Sequence, residues 1–84
     1  MTAEEFISFG NTLQSLQFRL WNSENMNMWL TYRNEEGRGH FMGISLFLGN
    51  NRMPKKCIYI YQSDSLSNAK AKLNDIYKFI QNFE

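Results

Sequence analysis

Cys57 is the chain's one thiol and His40 its one imidazole. Together they would make a nucleophile and its base, since an imidazole within hydrogen-bond reach of a thiol takes up its proton and leaves a reactive thiolate. Nothing in their spacing requires that contact, and a lone cysteine in an apolar strand reads as a small core or half-core residue. Two pairs of carboxylates offer acid/base chemistry, Glu4-Glu5 and Glu35-Glu36. Neighbours in sequence do not face one another across a scissile bond, so these read as a helix start and a solvated turn. One cysteine excludes an internal disulfide, and one cysteine with one histidine cannot close a Cys/His zinc site. No catalytic residue, metal or cofactor is therefore expected, and the chain reads as a non-enzymatic protein.

The segment NEEGRGHFMGISLF holds the other chemically suggestive run, Gly37-Arg38-Gly39. Glycine-rich phosphate loops lie between a strand and a helix, whose N-terminus helps hold the anion. Here strand-like sequence follows, so Gly37 and Gly39 are expected to supply positive φ in a hairpin turn.

Several elements must position whatever surface does the work. Thr2-Ala3-Glu4-Glu5 fits a capping box, and Phe6, Phe9, Leu13 and Leu16 follow at helical spacing. Leu16, Phe18 and Leu20 also alternate with Gln17, Arg19 and Trp21. That pattern predicts a helix to about residue 15 and a strand over 16–21, although the helical stripe also continues through Leu20. Further strands are predicted over 26–33, 40–48 and 57–62, with Gly43 as a bulge or a point of close approach. Asp64 or Ser65 can cap a last helix on which Leu66, Ala69, Leu73, Ile76, Ile80 and Phe83 keep a three-four spacing. The expected fold is α+β, a single domain over 1–84 of order α-β-β-β-β-α, with an antiparallel sheet covered on one face by both helices.

A chain of 84 residues supports one small core, and at 43% hydrophobic and 15% aromatic it is too apolar to be disordered. It should fold alone or as a homodimer. The opening MTAEEFISFG is acidic where a secretory signal is basic, and no apolar run approaches the length of a bilayer span. A cytoplasmic protein without a membrane partner is expected. Residues 1–36 carry five acids and two arginines, net −3, whereas residues 37–84 carry seven basic and three acidic residues, net +4. The total of +1 is not the strongly basic balance of many duplex-DNA binders.

Alternation assigns Leu16, Phe18, Leu20, Met28, Leu30, Met42, Ile44, Leu46, Ile58 and Ile60 to the helix side of the sheet. It sends Arg19, Trp21, Trp29, Thr31, Arg33, Phe41, Phe47, Tyr59 and Tyr61 to the other side. Trp, Tyr and Arg dominate interface hot spots, and aromatic sheets also stack unpaired bases. Arg19, Trp21, Trp29, Arg33, Phe41, Phe47, Tyr59 and Tyr61 are the candidate partner-binding residues, unless a second subunit or the first helix closes that face and makes the aromatics core. The basic loop residues Arg52, Lys55 and Lys56 read as solvated.

The strand Trp29 to Arg33, the turn with Gly37-Arg38, then Phe41 and Ile44, and the closing helix from Ser65 also carry a resemblance. Residues 16–83 resemble the four-strands-then-helix unit of the PUR repeat. That resemblance implies dimerisation through the helix and binding of single-stranded nucleic acid. Gly39-His40 departs from the family's glycine-arginine-aromatic sequence, and the leading helix is additional.

The resulting expectation is an inhibitor or adaptor of a larger protein or complex, of the small kind found among phage anti-defence and immunity proteins. Single-stranded nucleic acid is the alternative partner for the same face. Net charge favours the protein partner, because sequence-independent affinity for nucleic acid depends on neutralising phosphates.

Overall fold

The computed structural model describes all residues from Met1 to Glu84. The order is α1 (Ala3–Leu20), β1 (Met26–Glu35), β2 (Gly39–Leu48), β3 (Lys56–Tyr61) and α2 (Leu66–Phe83). The strands form one antiparallel sheet in the order β1-β2-β3. No helix is long and apolar enough to cross a membrane.

The first helix starts where the capping box places it. The Thr2 hydroxyl accepts from the Glu5 N–H, and the Glu5 carboxylate accepts from the Thr2 N–H at 2.9 Å. The helix does not end near residue 15. It runs to Leu20, so the four-stranded sheet expected from the alternation over 16–21 is a three-stranded one. The reason lies in the core stripe: Phe6, Phe9, Leu13, Leu16 and Leu20 are all buried, at helical spacings of three, four, three and four. Helix lets Leu16 and Leu20 extend that stripe, while Phe18 points outward with 84% of its surface exposed. The first strand of a PUR-type unit is accordingly a helix here, and the four-strand unit implied by that resemblance is absent.

The second helix begins at Ser65, whose hydroxyl accepts from the Asn68 N–H at 3.1 Å. Ala69, Ile76 and Ile80 are buried as their spacing predicts, Leu66 and Leu73 are partly buried, and Phe79 joins them in the core. Phe83 is more exposed than expected and packs its ring at a tilt of 43° on Phe79, with ring centroids 4.7 Å apart. Both helices bury their stripes against one face of the sheet, through Met26, Met28, Met42, Ile44, Leu46, Ile58 and Ile60. Helix α1 lies over β1 and α2 lies over β3.

Side chains also engage backbone groups on both sheet edges. Gln17 Oε1 accepts from the Leu30 N–H at 3.0 Å on the β1 edge, and Asn27 Oδ1 accepts from Met28 N–H at 2.8 Å. On the β3 edge the Lys72 ammonium donates to the Tyr59 carbonyl at 2.6 Å, and Asp64 Oδ2 accepts from the Tyr61 N–H at 3.0 Å. Lys72 and Asp64 pair with each other at 2.8 Å. Edge groups engaged in this way are poor templates for an added strand.

Two outcomes check this description. In dilute solution Leu16→Ala should destabilise the fold by about 2–5 kcal/mol, and Phe18→Ala by less than about 0.5 kcal/mol, in denaturant melts. The ratio would reverse or vanish if residues 16–21 formed a strand. The second concerns Glu5, whose carboxyl is held below its ordinary value of 4.5 chiefly by the Thr2 backbone N–H and then by the Thr2 hydroxyl. A depressed carboxyl stabilises above its unfolded value and loses that contribution as pH falls through the folded one. The stability gap between wild type and Glu5→Gln should therefore be constant above about pH 5 and shrink on acidification.

Candidate functional site

With both helices on one side, the opposite sheet face is left uncovered. Antiparallel register arranges it in cross-strand rows: Arg33-Phe41-Tyr61, then Thr31-Gly43-Tyr59, then Trp29-Ser45-Cys57, with Asn27 beside Phe47 at the far end. The central strand contributes only Gly43 and Ser45 to the middle rows, while its neighbours contribute Trp29, Thr31 and Tyr59. Small residues flanked by large ones make a trough along β2. It is a cleft of about 320 Å³ lined by Thr31, Arg33, Glu35, Arg38, Phe41, Gly43, Ser45 and Tyr59.

Phe41 closes one end of the trough. Its ring lies 5.3 Å from that of Tyr61 and 6.2 Å from that of Tyr59, with the Arg38 guanidinium carbon 6.0 Å from its centroid. Enclosed on three sides, Phe41 is only 3% exposed and forms the buried end wall. The accessible aromatics are Trp29, 51% exposed, and Tyr59, 47% exposed. Tyr59 and Tyr61 are held from behind, because Lys72 and Asp64 fix their backbone groups and the Lys72 ammonium lies 5.2 Å from the Tyr61 centroid.

The polar end is built around Glu35, whose carboxylate lies 3.3 Å from Arg33 and 3.8 Å from Arg38. One acid between two arginines leaves a net positive charge. All three side chains are well exposed, so these pairs are weak and exchangeable. The hairpin brings Arg38 here. Gly37 and Gly39 have φ of 84° and 71°, as expected of them, and the Arg38 N–H donates to the Glu35 carbonyl at 3.1 Å.

Six of the eight residues named from alternation, Trp29, Arg33, Phe41, Phe47, Tyr59 and Tyr61, lie on this face. Arg19 and Trp21 do not, because residues 16–20 are helix and Trp21 is its C-cap. Arg19 instead pairs with Glu84 at 3.1 Å, and Trp21 is exposed on the outer flank of α1. Arg38, Glu35, Gly43 and Ser45 complete the cleft and were not among the named residues. For Arg38 a signal existed in the turn itself, since a tight hairpin returns its residues to the end of the strands it joins. Cys57 and His40 are separated. Cys57 shares the open face with Ser45, at 3.8 Å, whereas His40 pairs with the Tyr32 hydroxyl at the hairpin end.

Gly43 is a close-approach point and not a bulge, since the register runs unbroken through it. A Cβ there would lie 2.9 Å from Thr31 Oγ1 and 3.3 Å from Tyr59 Cε1, so the Tyr59 ring leans over the glycine. Replacing a strand glycine by alanine ordinarily stabilises through the unfolded chain. Here Gly43→Ala should destabilise by about 1–3 kcal/mol in denaturant melts, from overpacking. The loss should shrink by at least about 0.5 kcal/mol in a Thr31→Ala background; an unchanged loss would remove the close contact as its cause. Compared with protein-family models, with curated proteins and with solved structures, the chain matches none.

Proposed function

We propose that this is a non-enzymatic binding protein, an inhibitor or adaptor that docks on a larger protein through the open sheet face. One observation carries the reading: half-exposed Tyr59 lines a trough whose end is closed by the buried Phe41 and carries Arg33 and Arg38, and half-exposed Trp29 stands next to it, beside Ser45. Aromatic anchors beside arginines, held by a rigid sheet, are the composition of interface hot spots. Because Lys72, Asp64, Gln17 and Asn27 occupy groups along the sheet edges, side chains of the face make the contact and strand addition does not. The net positive end of the trough favours a partner that inserts an apolar side chain along β2 and offers a carboxylate to Arg33 or Arg38.

Single-stranded nucleic acid is the competing ligand for the same rings. Two arginines sharing one glutamate neutralise few phosphates. Lys72 is already engaged with Asp64 and a backbone carbonyl, so the charge of this face supports the protein partner better.

Affinity capture from the native cell extract, with and without nuclease, followed by calorimetry on the captured partner, tests the reading. Trp29→Ala should weaken binding by about 2 kcal/mol or more with an unchanged circular dichroism spectrum, and Arg33→Ala should also weaken it. Capture abolished by nuclease, together with affinity that falls steeply with salt, would transfer the face to nucleic acid. Full affinity in both variants would remove the face from the binding site.

A further inference from the structure

A second surface lies on the opposite layer, along the outside of α1. Ile7, Asn11, Gln14, Phe18 and Trp21 are spaced four, three, four and three residues apart and form a stripe that avoids the core. Ile7, Phe18 and Trp21 are 59%, 84% and 61% exposed. The outward side of a surface helix normally carries charge, as α2 does with Lys70, Asp75 and Lys78. Residues 6–18 of α1 contain no charged side chain.

We infer that this stripe is a homodimer interface in which two copies of α1 pack antiparallel about a two-fold axis at Gln14. The stripe is self-complementary in that arrangement. An isologous contact pairs each residue with its mirror position along the helix, so Ile7 of one copy meets Trp21 of the other, Gln14 meets Gln14 on the axis, and Phe18 lies beside Asn11. A two-fold axis also brings like groups together, and the missing charges remove the repulsion this would otherwise create. Beside Trp21 is a shallow recess of about 340 Å³ bounded by Gln14, Gln17, Phe18 and Leu30, which is open to an apolar side chain such as the second copy's Ile7.

The size is sufficient. From Ile7 to Trp21 the stripe is about 21 Å long. Aromatic side chains present about 150–250 Å² each. Three apolar residues from each of two copies, with their amide neighbours, therefore bury about 1,000 Å² in total, the lower bound of a specific interface. The sheet face stays free in such a dimer, which presents two copies of it to a partner.

Sedimentation equilibrium of the full chain tests the inference. Wild type should associate to a dimer with a dissociation constant in the micromolar range, and Phe18→Glu or Trp21→Glu should weaken this about 10-fold or more without changing the circular dichroism spectrum. Trp29→Ala, on the sheet face, should leave the dimer intact, so failure here is distinct from failure of the proposed docking face. As a second readout, Gln14→Cys in a Cys57→Ser background should form a disulfide-linked dimer on mild oxidation, whereas Lys78→Cys should not. A wild type that stays monomeric at about 100-fold above that range overturns the inference. So does a dimer lost in Trp29→Ala but retained in Phe18→Glu.

Discussion

Burial of two helical stripes against the same side of a three-stranded sheet is the interaction on which everything else in this molecule depends. Leu13, Leu20, Met28, Ile44, Leu46, Ile60 and Ile76 are its centre, each with essentially no exposed surface. Fully burying one such side chain contributes about 1.5–3 kcal/mol. In a chain of this size that core cannot be divided between two faces. Both helices are drawn to one side, and the other side of the sheet is left with whatever its alternate residues supply. An open face lined by Trp29, Tyr59, Phe41 and two arginines is thus a consequence of where the core had to be.

The same constraint explains how the face is kept rigid. Side chains from the helix layer reach around the sheet edges, Gln17 to the β1 backbone and Lys72 to β3 behind Tyr59. These bonds couple the helix layer to the exposed rings and occupy edge groups that would otherwise recruit another strand. Gly43 lets the Tyr59 ring lie close to the sheet, so the trough owes its shape to a missing side chain as much as to those that line it.

Much of this was legible in the sequence, for physical reasons particular to each element. Thr2 with Glu5, Ser65, and Gly37 with Gly39 are local signals, and local chemistry decides caps and tight turns whatever the tertiary context. Residues 16–21 misled because Leu16, Phe18 and Leu20 satisfy a strand period, while Leu16 and Leu20 also satisfy a helical one. The unbroken stripe from Phe6 to Leu20 was the stronger signal, and Phe18 obscured it by being a large apolar residue that the monomer leaves outside. That error carried Arg19 and Trp21 onto the wrong surface. Phe41 was placed on the correct face, but its enclosure by Tyr59, Tyr61 and Arg38 depends on cross-strand register and on a turn residue, neither of which periodicity reveals.

The central claim is that the sheet face carrying Trp29 and Tyr59 is open in the free protein. Solvent paramagnetic relaxation, measured by NMR with a neutral soluble probe, reads this directly. The Trp29 indole and Tyr59 ring protons should relax strongly as probe is added, while the side chains of Met28, Ile44 and Ile60, one layer beneath, should be almost unaffected. Equal protection of Trp29 and Tyr59 with those core residues would show that the face is covered, and would contradict the account.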